Sequence, residues 1–403
     1  MTAEIHLRAS ALSETATPTG HWGGVYAMTL CVFALIASEF MPVSLLTPLA
    51  NDLQVSQGLA GQGLAISGAF AVLASLSISW IAGTLNRKTL LLALTGLMAV
   101  SGTIVALAPN YLIYMAGRAL IGVVIGGFWS MSAATAMRLV PAAQVPRALA
   151  VFNGGNALAT VVAAPLGSYL GSVVGWRGAF LCLVPVALIA LVWQWITLPS
   201  MATQKRSPGA GNVFNLLKNR TVALGMAAAG LFFMGQFALF TYLRPFLETV
   251  TQVNVPILSL LLLVIGVAGF CGTTLIGLVL KRSLYGTLST ISLLMAVIAL
   301  ALIPAGTWVI PVAVLLGLWG FIATAAPVGW WSWIAQALPD HAEAGGGLMV
   351  AIVQLAIAVG STVGGVLFDA LGYQSTFIAS AAMLMLAALL TFLTSRSSVP
   401  HSQ

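Results

Sequence analysis

Residues Val25 to Leu49 read VYAMTLCVFALIASEFMPVSLLTPL. The run is apolar almost throughout and long enough to cross a bilayer, which takes about 20 residues. One carboxylate, Glu39, interrupts it, with Pro42 three residues later. A charge at that depth costs about 2.5–3.5 kcal/mol on insertion scales, so such residues face cavities and carry protons, ions or substrate. The alternative is a carboxyl kept neutral by a helix neighbour. An obvious partner is Arg118, also inside an apolar run.

Working outward, the 403 residues are 60% hydrophobic and only 6% charged. That excludes an ordinary soluble domain, in which about a quarter of residues are charged. With no series of short alternating segments, the fold class is all-α polytopic membrane protein rather than barrel. Twelve apolar segments can be marked: 25–49, 59–82, 89–108, 111–138, 148–171, 178–198, 219–247, 256–280, 286–306, 308–336, 346–370 and 374–394. Residues 199–218 form the one sizeable polar break. The expected organisation is a tail (1–22), a six-helix bundle (23–198), a linker (199–218), a second bundle (219–394) and a tail (395–403).

The net charge of +7 is spread over short loops. With the N-terminus inside, twelve of the fifteen Lys and Arg residues fall on the cytoplasmic side. This is the positive-inside pattern, not a nucleic-acid footprint, and it places both termini in the cytoplasm. Cys31, Cys182 and Cys271 all sit in apolar runs and read as packing residues. The tail lacks the basic start and cleavage site of a signal peptide. No GxxxxGK[ST] loop, metal-spaced cluster or Ser/His/Asp set occurs. The chain is therefore expected to be no enzyme, to hold no cofactor and to draw energy from a gradient.

The halves resemble each other. Gly83, Arg87 and Lys88 match Gly277, Lys281 and Arg282, while Gly167, Gly175, Trp176 and Phe180 match Gly364, Gly372, Tyr373 and Phe377. Pro42 has a loose counterpart in Pro245. Parallel repeats imply a pseudo-two-fold axis along the membrane normal and a binding site between the halves near mid-membrane.

Arg118 is a fixed positive charge that can hold a carboxylate anionic until a proton or substrate competes. A structural salt bridge or a snorkelling arginine is the plainer reading. Gly122 beside it allows close helix packing. Pro165 and Gly167 mark a hinge or seal. Asn153 and Asn156 share a face that points to the cavity or to a neighbouring helix. Aromatic and amide residues gather where a cavity belongs: Phe128, Trp129, Gln236, Tyr242, Arg244, Trp330 and Gln354. Flat rings stack a planar solute and amides bond its edge, although tryptophan also favours the membrane interface. At least one of Trp330, Trp331 and Trp333 is expected to be such an anchor.

These features together resemble the major facilitator superfamily, in its twelve-helix drug:proton antiporter branch. Gly83-Thr84-Leu85-Asn86-Arg87-Lys88 looks like a shortened form of that family's loop signature, with Asn86 in place of the usual aspartate and a glycine missing. Arg118 with Gly122 matches the branch's fourth-helix motif, although Ile121 stands where a polar residue is frequent. The stretch ending at Pro165 and Gly167 looks like a degenerate antiporter motif.

Further segments are similar to bacterial inner-membrane efflux pumps for purine ribonucleosides: Glu39 to Pro48, Gly126 to Ala133, Phe240 to Pro245, Pro327 to Trp330, and Val353 to Ala356. The resemblance implies a proton-driven antiporter in the bacterial inner membrane, exporting nucleosides such as inosine or guanosine. It implies protons and a small solute as partners, a lipid bilayer around the chain, and a monomer. Sugar or multidrug efflux is the alternative within transport, and a non-transporting membrane sensor the alternative outside it.

Overall fold

The computed structural model describes residues 20–81, 85–141, 144–201, 213–339 and 342–397. Gly83, most of both tails and residues 202–212 of the linker lie outside the described residues. Seven helices precede the linker. They are α1 (Trp22–Ser44), α2 (Leu46–Leu53), α3 (Gln57–Ile81), α4 (Arg87–Ala106), α5 (Tyr111–Leu139), α6 (Val145–Leu181) and α7 (Leu183–Thr197). After a 3-10 turn (Val213–Lys218) come α8 (Arg220–Phe240), α9 (Leu243–Thr249), α10 (Val255–Leu280) and α11 (Leu284–Ala305). The last four are α12 (Val309–Ala323), α13 (Ala326–Ala337), α14 (Ala342–Leu371) and α15 (Tyr373–Ser397).

Eleven stretches among the described residues are long and apolar enough to span a bilayer. One of them, Arg147–Thr197, has 51 residues, about 76 Å of helix against a hydrocarbon core of about 30 Å. Gly175, at φ 74° and ψ 165°, breaks it into two passes, giving twelve in all. Gly372, at φ 83°, turns the chain between α14 and α15 in the same way, 197 residues later. Only glycine adopts this backbone readily.

Four predicted spans, 25–49, 178–198, 219–247 and 308–336, are not continuous. Their breaks share a cause. Proline has no N–H to give the carbonyl four residues back, and its ring crowds that carbonyl. Pro48, Pro185, Pro245 and Pro327 thereby deprive Ser44, Leu181, Thr241 and Ala323, and the helices stop at or beside those residues. The break residues Leu45 (φ −116°, ψ 10°) and Tyr242 (φ −104°, ψ 15°) are again 197 apart. By this register the counterpart of Pro245 is Pro48, not Pro42.

The start of α1, the end of α15, the start of α8 and the end of α5 lie on one face, the near face; the α2–α3 and α14–α15 turns lie on the opposite, far face. On the near face His21 N–H donates to the Leu139 carbonyl (2.8 Å) and Thr221 Oγ1 to the Ser397 carbonyl (3.2 Å). On the far face of the first half, Arg177 pairs with Asp52, which also accepts from Trp176 Nε1 (3.1 Å). Cross-half bonds cluster toward the far face. Asp369 accepts from Ser56 Oγ (2.5 Å) and from Gly58 N–H (2.9 Å), and Thr362 donates to Gln62 (2.9 Å). At mid-depth α6 and α10 touch where Gly266 meets the Val161 backbone. Nearer the near face they part, leaving an apolar crevice of about 380 Å³ beside Gly154, Leu158, Val161, Val267 and Phe270. Cross-half hydrogen bonds thus hold the far side together, while the crevice between α6 and α10 lies toward the near side.

Glycines set the closest approaches. A methyl group on Gly122 would collide with the Ser67 carbonyl and the Phe70 side chain, whereas one on Gly154 meets open space. Gly122→Ala is expected to destabilise the protein by about 1–3 kcal/mol, as over-packing does, and Gly154→Ala, a helix-interior position with open space, to stabilise it by up to about 1 kcal/mol. Thermal unfolding of the two variants in one detergent checks the contrast.

Candidate functional site

Pro42 is the local origin of the site. It cannot pair with the Ser38 carbonyl, which is left bare inside the first span. Arg118 of α5 supplies the missing donor: Nη1 bonds Ser38 O at 2.7 Å. Nη2 bonds Glu39 O at 3.0 Å, and Nε bonds Gly63 O of α3 at 3.0 Å. Ser67 Oγ also accepts from Nη2 at 3.2 Å. The guanidinium, only 1% exposed, thus ties α1, α3 and α5 together. Gly122, one turn further along α5, lets these helices come close enough. The expected pairing of Arg118 with the Glu39 carboxylate is therefore corrected: the arginine grips the backbone of Glu39. Among the described residues the ion pairs are Arg177 with Asp52 and Arg244 with Glu248.

With its backbone held, Glu39 turns its carboxylate toward the second half. It is 4% exposed and accepts from Gln354 Nε2 of α14 at 3.3 Å. The other amide atom, Gln354 Oε1, is buried without a partner, and so is Gln236 Oε1 on α8. Phe40 and Phe237, the neighbours of Glu39 and Gln236, stack across the halves at 5.6 Å and 21°. One carboxylate, the unpaired amide oxygen of Gln354 and a pair of rings thus lie at the junction of the halves, with Gln236 and its unpaired oxygen next in sequence to Phe237. A buried acceptor without a partner costs about 1–3 kcal/mol, so the site is suited to a solute that donates hydrogen bonds.

The other predicted residues are distributed differently. Phe128 is fully buried in the core of the first half, edge-on to half-buried Trp129 at 6.3 Å. On α5 Phe128 lies on the same face as Gly117, which packs against Ile104 and Val105 of α4. Trp330 packs in the second half against Phe232 and Trp333, its indole N–H unpaired. Trp331 is the exposed one of the three, at 46%. Asn153 is exposed and Asn156 half-buried on α6, toward the near side. Pro165 leaves the Val161 carbonyl bare where Gly266 approaches, and Gly167 packs on Ser44 and Met41 of α1.

Two expected site residues seal the far side instead. Tyr242 is fully buried; its hydroxyl donates to Ser361 O at 2.7 Å and fits against Gly58, Gly61 and Gly365. Arg244 bonds Glu248 Oε1 at 2.8 Å and reaches across to the Ser44 carbonyl, the one freed by Pro48. Lys88 donates to the Trp195 carbonyl at 2.8 Å, and the Arg87 N–H to the Met201 carbonyl at 3.2 Å. Asn86 donates to Ser200 at 2.7 Å, so this loop engages the end of α7 and the start of the linker. The far-side contacts of Ser56, Gly58 and Asp369 escape sequence reading, because a lone aspartate near the end of a helix carries no local signal of a partner more than 300 residues away.

The sequence profile of the Major Facilitator Superfamily matches residues 28–349. A protein of Pseudomonas aeruginosa named transcription regulatory protein OpdE is 68% identical over 391 residues, covering 96% of this chain and 97% of that protein. A purine ribonucleoside efflux pump, NepI of Salmonella enteritidis PT4, is 40% identical over 369 residues, covering 92% and 93%. A bacterial homologue of the human lysosomal transporter Spinster, solved inward-facing and unoccupied, shares the fold with a TM-score of 0.72 at 17% identity, covering 95% of this chain and 98% of that one. The chain belongs to the Major Facilitator Superfamily and is a multi-pass membrane transporter of that fold.

Replacing Arg118 by Lys keeps the charge but not the planar fork that reaches three carbonyls. Each carbonyl left bare should cost about 1–3 kcal/mol. Pro42→Ala restores an N–H to Ser38, so the lysine substitution should cost less in that background. Unfolding of both single variants and the double variant measures the coupling, expected at roughly 0.5–3 kcal/mol.

Proposed function

We propose that the protein is a proton-coupled antiporter exporting small solutes, most specifically purine ribonucleosides such as inosine and guanosine. The observation that carries the reading is Glu39: a carboxylate in mid-span, bonded to Gln354 of the opposite half, whose amide oxygen lacks a partner. A group at that junction can respond both to protonation and to the distance between the halves. Purine nucleosides meet the local chemistry, with a flat ring system for Phe40 and Phe237 and hydroxyl and ring N–H donors for Gln236 and Gln354. The name of the Salmonella relative supports the same class. Asn156 and Asn153 stand on the entry side, and Tyr242 with Arg244 forms the opposing seal.

The near face carries the basic loops and is assigned to the cytoplasm, in the bacterial inner membrane. The near side then admits solute from the cell. A single copy contains both halves of the site, so a monomer suffices.

The name of the Pseudomonas relative favours a second reading in which gene expression changes when the protein is present. Export of a small effector produces that outcome without any contact with DNA. Sugar or broad drug efflux remains the competing transport activity.

Cells overproducing the protein should tolerate toxic purine nucleosides better than controls, and Glu39→Gln should remove the advantage while membrane abundance stays constant. Gln354→Ala and Gln236→Ala should each weaken apparent affinity roughly 5- to 150-fold, the equivalent of one lost buried hydrogen bond. Tolerance limited to sugars or lipophilic cations would assign the protein to the competing class. A transcriptional response that persists in Glu39→Gln cells would separate regulation from transport.

A further inference from the structure

We infer that Gln354 is the coupling residue: its amide reverses when Glu39 gains a proton, converting what the site offers a solute from an acceptor to a donor. This rests on the reading of Glu39 as proton carrier and adds how the proton is communicated to the solute. In the present arrangement Gln354 Nε2 donates to Glu39 Oε1 at 3.3 Å, and Oε1 of the same amide is buried with no partner. An ionised carboxylate can only accept hydrogen bonds, so the amide must turn its NH₂ toward Glu39 and its oxygen toward the junction. A protonated carboxyl has one O–H to donate. That O–H is best met by the amide oxygen, which requires a half-turn about the terminal torsion of Gln354. The torsion is broad and roughly two-fold, so the turn needs no backbone movement. The NH₂ then faces the junction and can no longer accept from a solute.

The groups around Glu39 leave Gln354 as its side-chain partner. Of the helices packed on α1, α2 carries Asp52, held by Arg177 and Trp176 on the far face, α3 and α7 carry no charged residue, and α4 and α6 carry theirs (Arg87, Lys88, Arg147, Arg177) at their ends. From α5, Arg118 is spent on the Ser38, Glu39 and Gly63 carbonyls, with Tyr114 one turn before it and Tyr111 and Arg138 near the helix ends. From α9, Arg244 is bound to Glu248 and to the Ser44 carbonyl. On α14 itself, Asp369 lies at the far end with Ser56 and Gly58, and Glu343 stands near the opposite end of the sequence span.

With Gln354 facing outward as an acceptor, a donor-rich solute is held. Once Glu39 is protonated the site presents N–H groups to the same donors, and the solute is released. Solute and proton thereby exclude each other, which is the requirement for exchange in opposite directions.

Infrared difference spectra of the full-length protein in liposomes, acid minus alkaline, test this without any solute. A protonated-carboxyl stretch should appear in the wild type and be missing in Glu39→Gln. In Gln354→Met, which keeps the length but has no amide, the stretch should move to higher wavenumber as the O–H loses its acceptor. Gln354→Asn, one methylene shorter, should shift it likewise and guards against loss of folding in the first variant. An unchanged band in a folded variant overturns the inference.

Inosine binding to the same samples separates this from the functional reading. Wild-type affinity should fall at least roughly 5-fold on acidification, the low end of coupling between two sites, and the dependence should vanish in Gln354→Met. No inosine binding with a shifted band contradicts the nucleoside assignment and leaves the coupling intact; inosine binding with equal pH dependence in both proteins contradicts the coupling alone.

Discussion

A backbone carbonyl that loses its helical partner inside hydrocarbon must be paired by something else, because no water is there to do it. The first span carries two such carbonyls, at Ser38 and Ser44, created by Pro42 and Pro48. Each is met by an arginine from another helix: Arg118 within the same half, Arg244 from the opposite one. The first bond fixes the depth and direction of Glu39. The second closes the far side and breaks when the halves separate there. One structural rule thus both positions the carboxylate and helps define the closed state.

The rigid and movable contacts differ in kind. Arg118 is enclosed by α1, α3 and α5, all in one half, and so travels with Glu39 through any rocking motion. The Arg244, Tyr242 and Asp369 contacts join opposite halves and lie toward the far face. Tyr242 depends on glycines at 61 and 365, where any side chain would run into its ring or hydroxyl, and a side chain at Gly58 would displace Asp369. Asp369 sits at the C-terminal end of its own helix, where a negative charge is unfavourable, and at the N-terminal end of α3, where it is favoured. Its preference therefore lies with the sealed arrangement.

Much of the fold is legible in the sequence because burial in a bilayer forces long apolar runs and leaves Arg and Lys in loops. The repeat was visible in Gly175 and Gly372, and the structure gives the reason, since both hold positive φ. The breaks at Leu45, Cys182, Tyr242 and Thr324 lie inside apolar runs and escape a hydropathy pattern, although Pro48, Pro185, Pro245 and Pro327 stand at the spacing that produces them. Glu39 and Gln354 stood out as polar residues within apolar runs. What they touch was not legible, because partners 315 residues apart are set by helix packing and not by local pattern. The same holds for Phe128, whose aromatic character suits either a core or a cavity and whose helix face decides for the core.

The central claim is that solute and proton cross on the same site in opposite directions. Purified protein in liposomes loaded with inosine, with a pH-sensitive dye inside, tests it most directly. Outward flow of inosine down its gradient should draw protons inward and acidify the lumen, and Glu39→Gln should exchange labelled inosine without moving protons. Inosine efflux with no change in internal pH, or acidification by Glu39→Gln equal to wild type, would contradict the account.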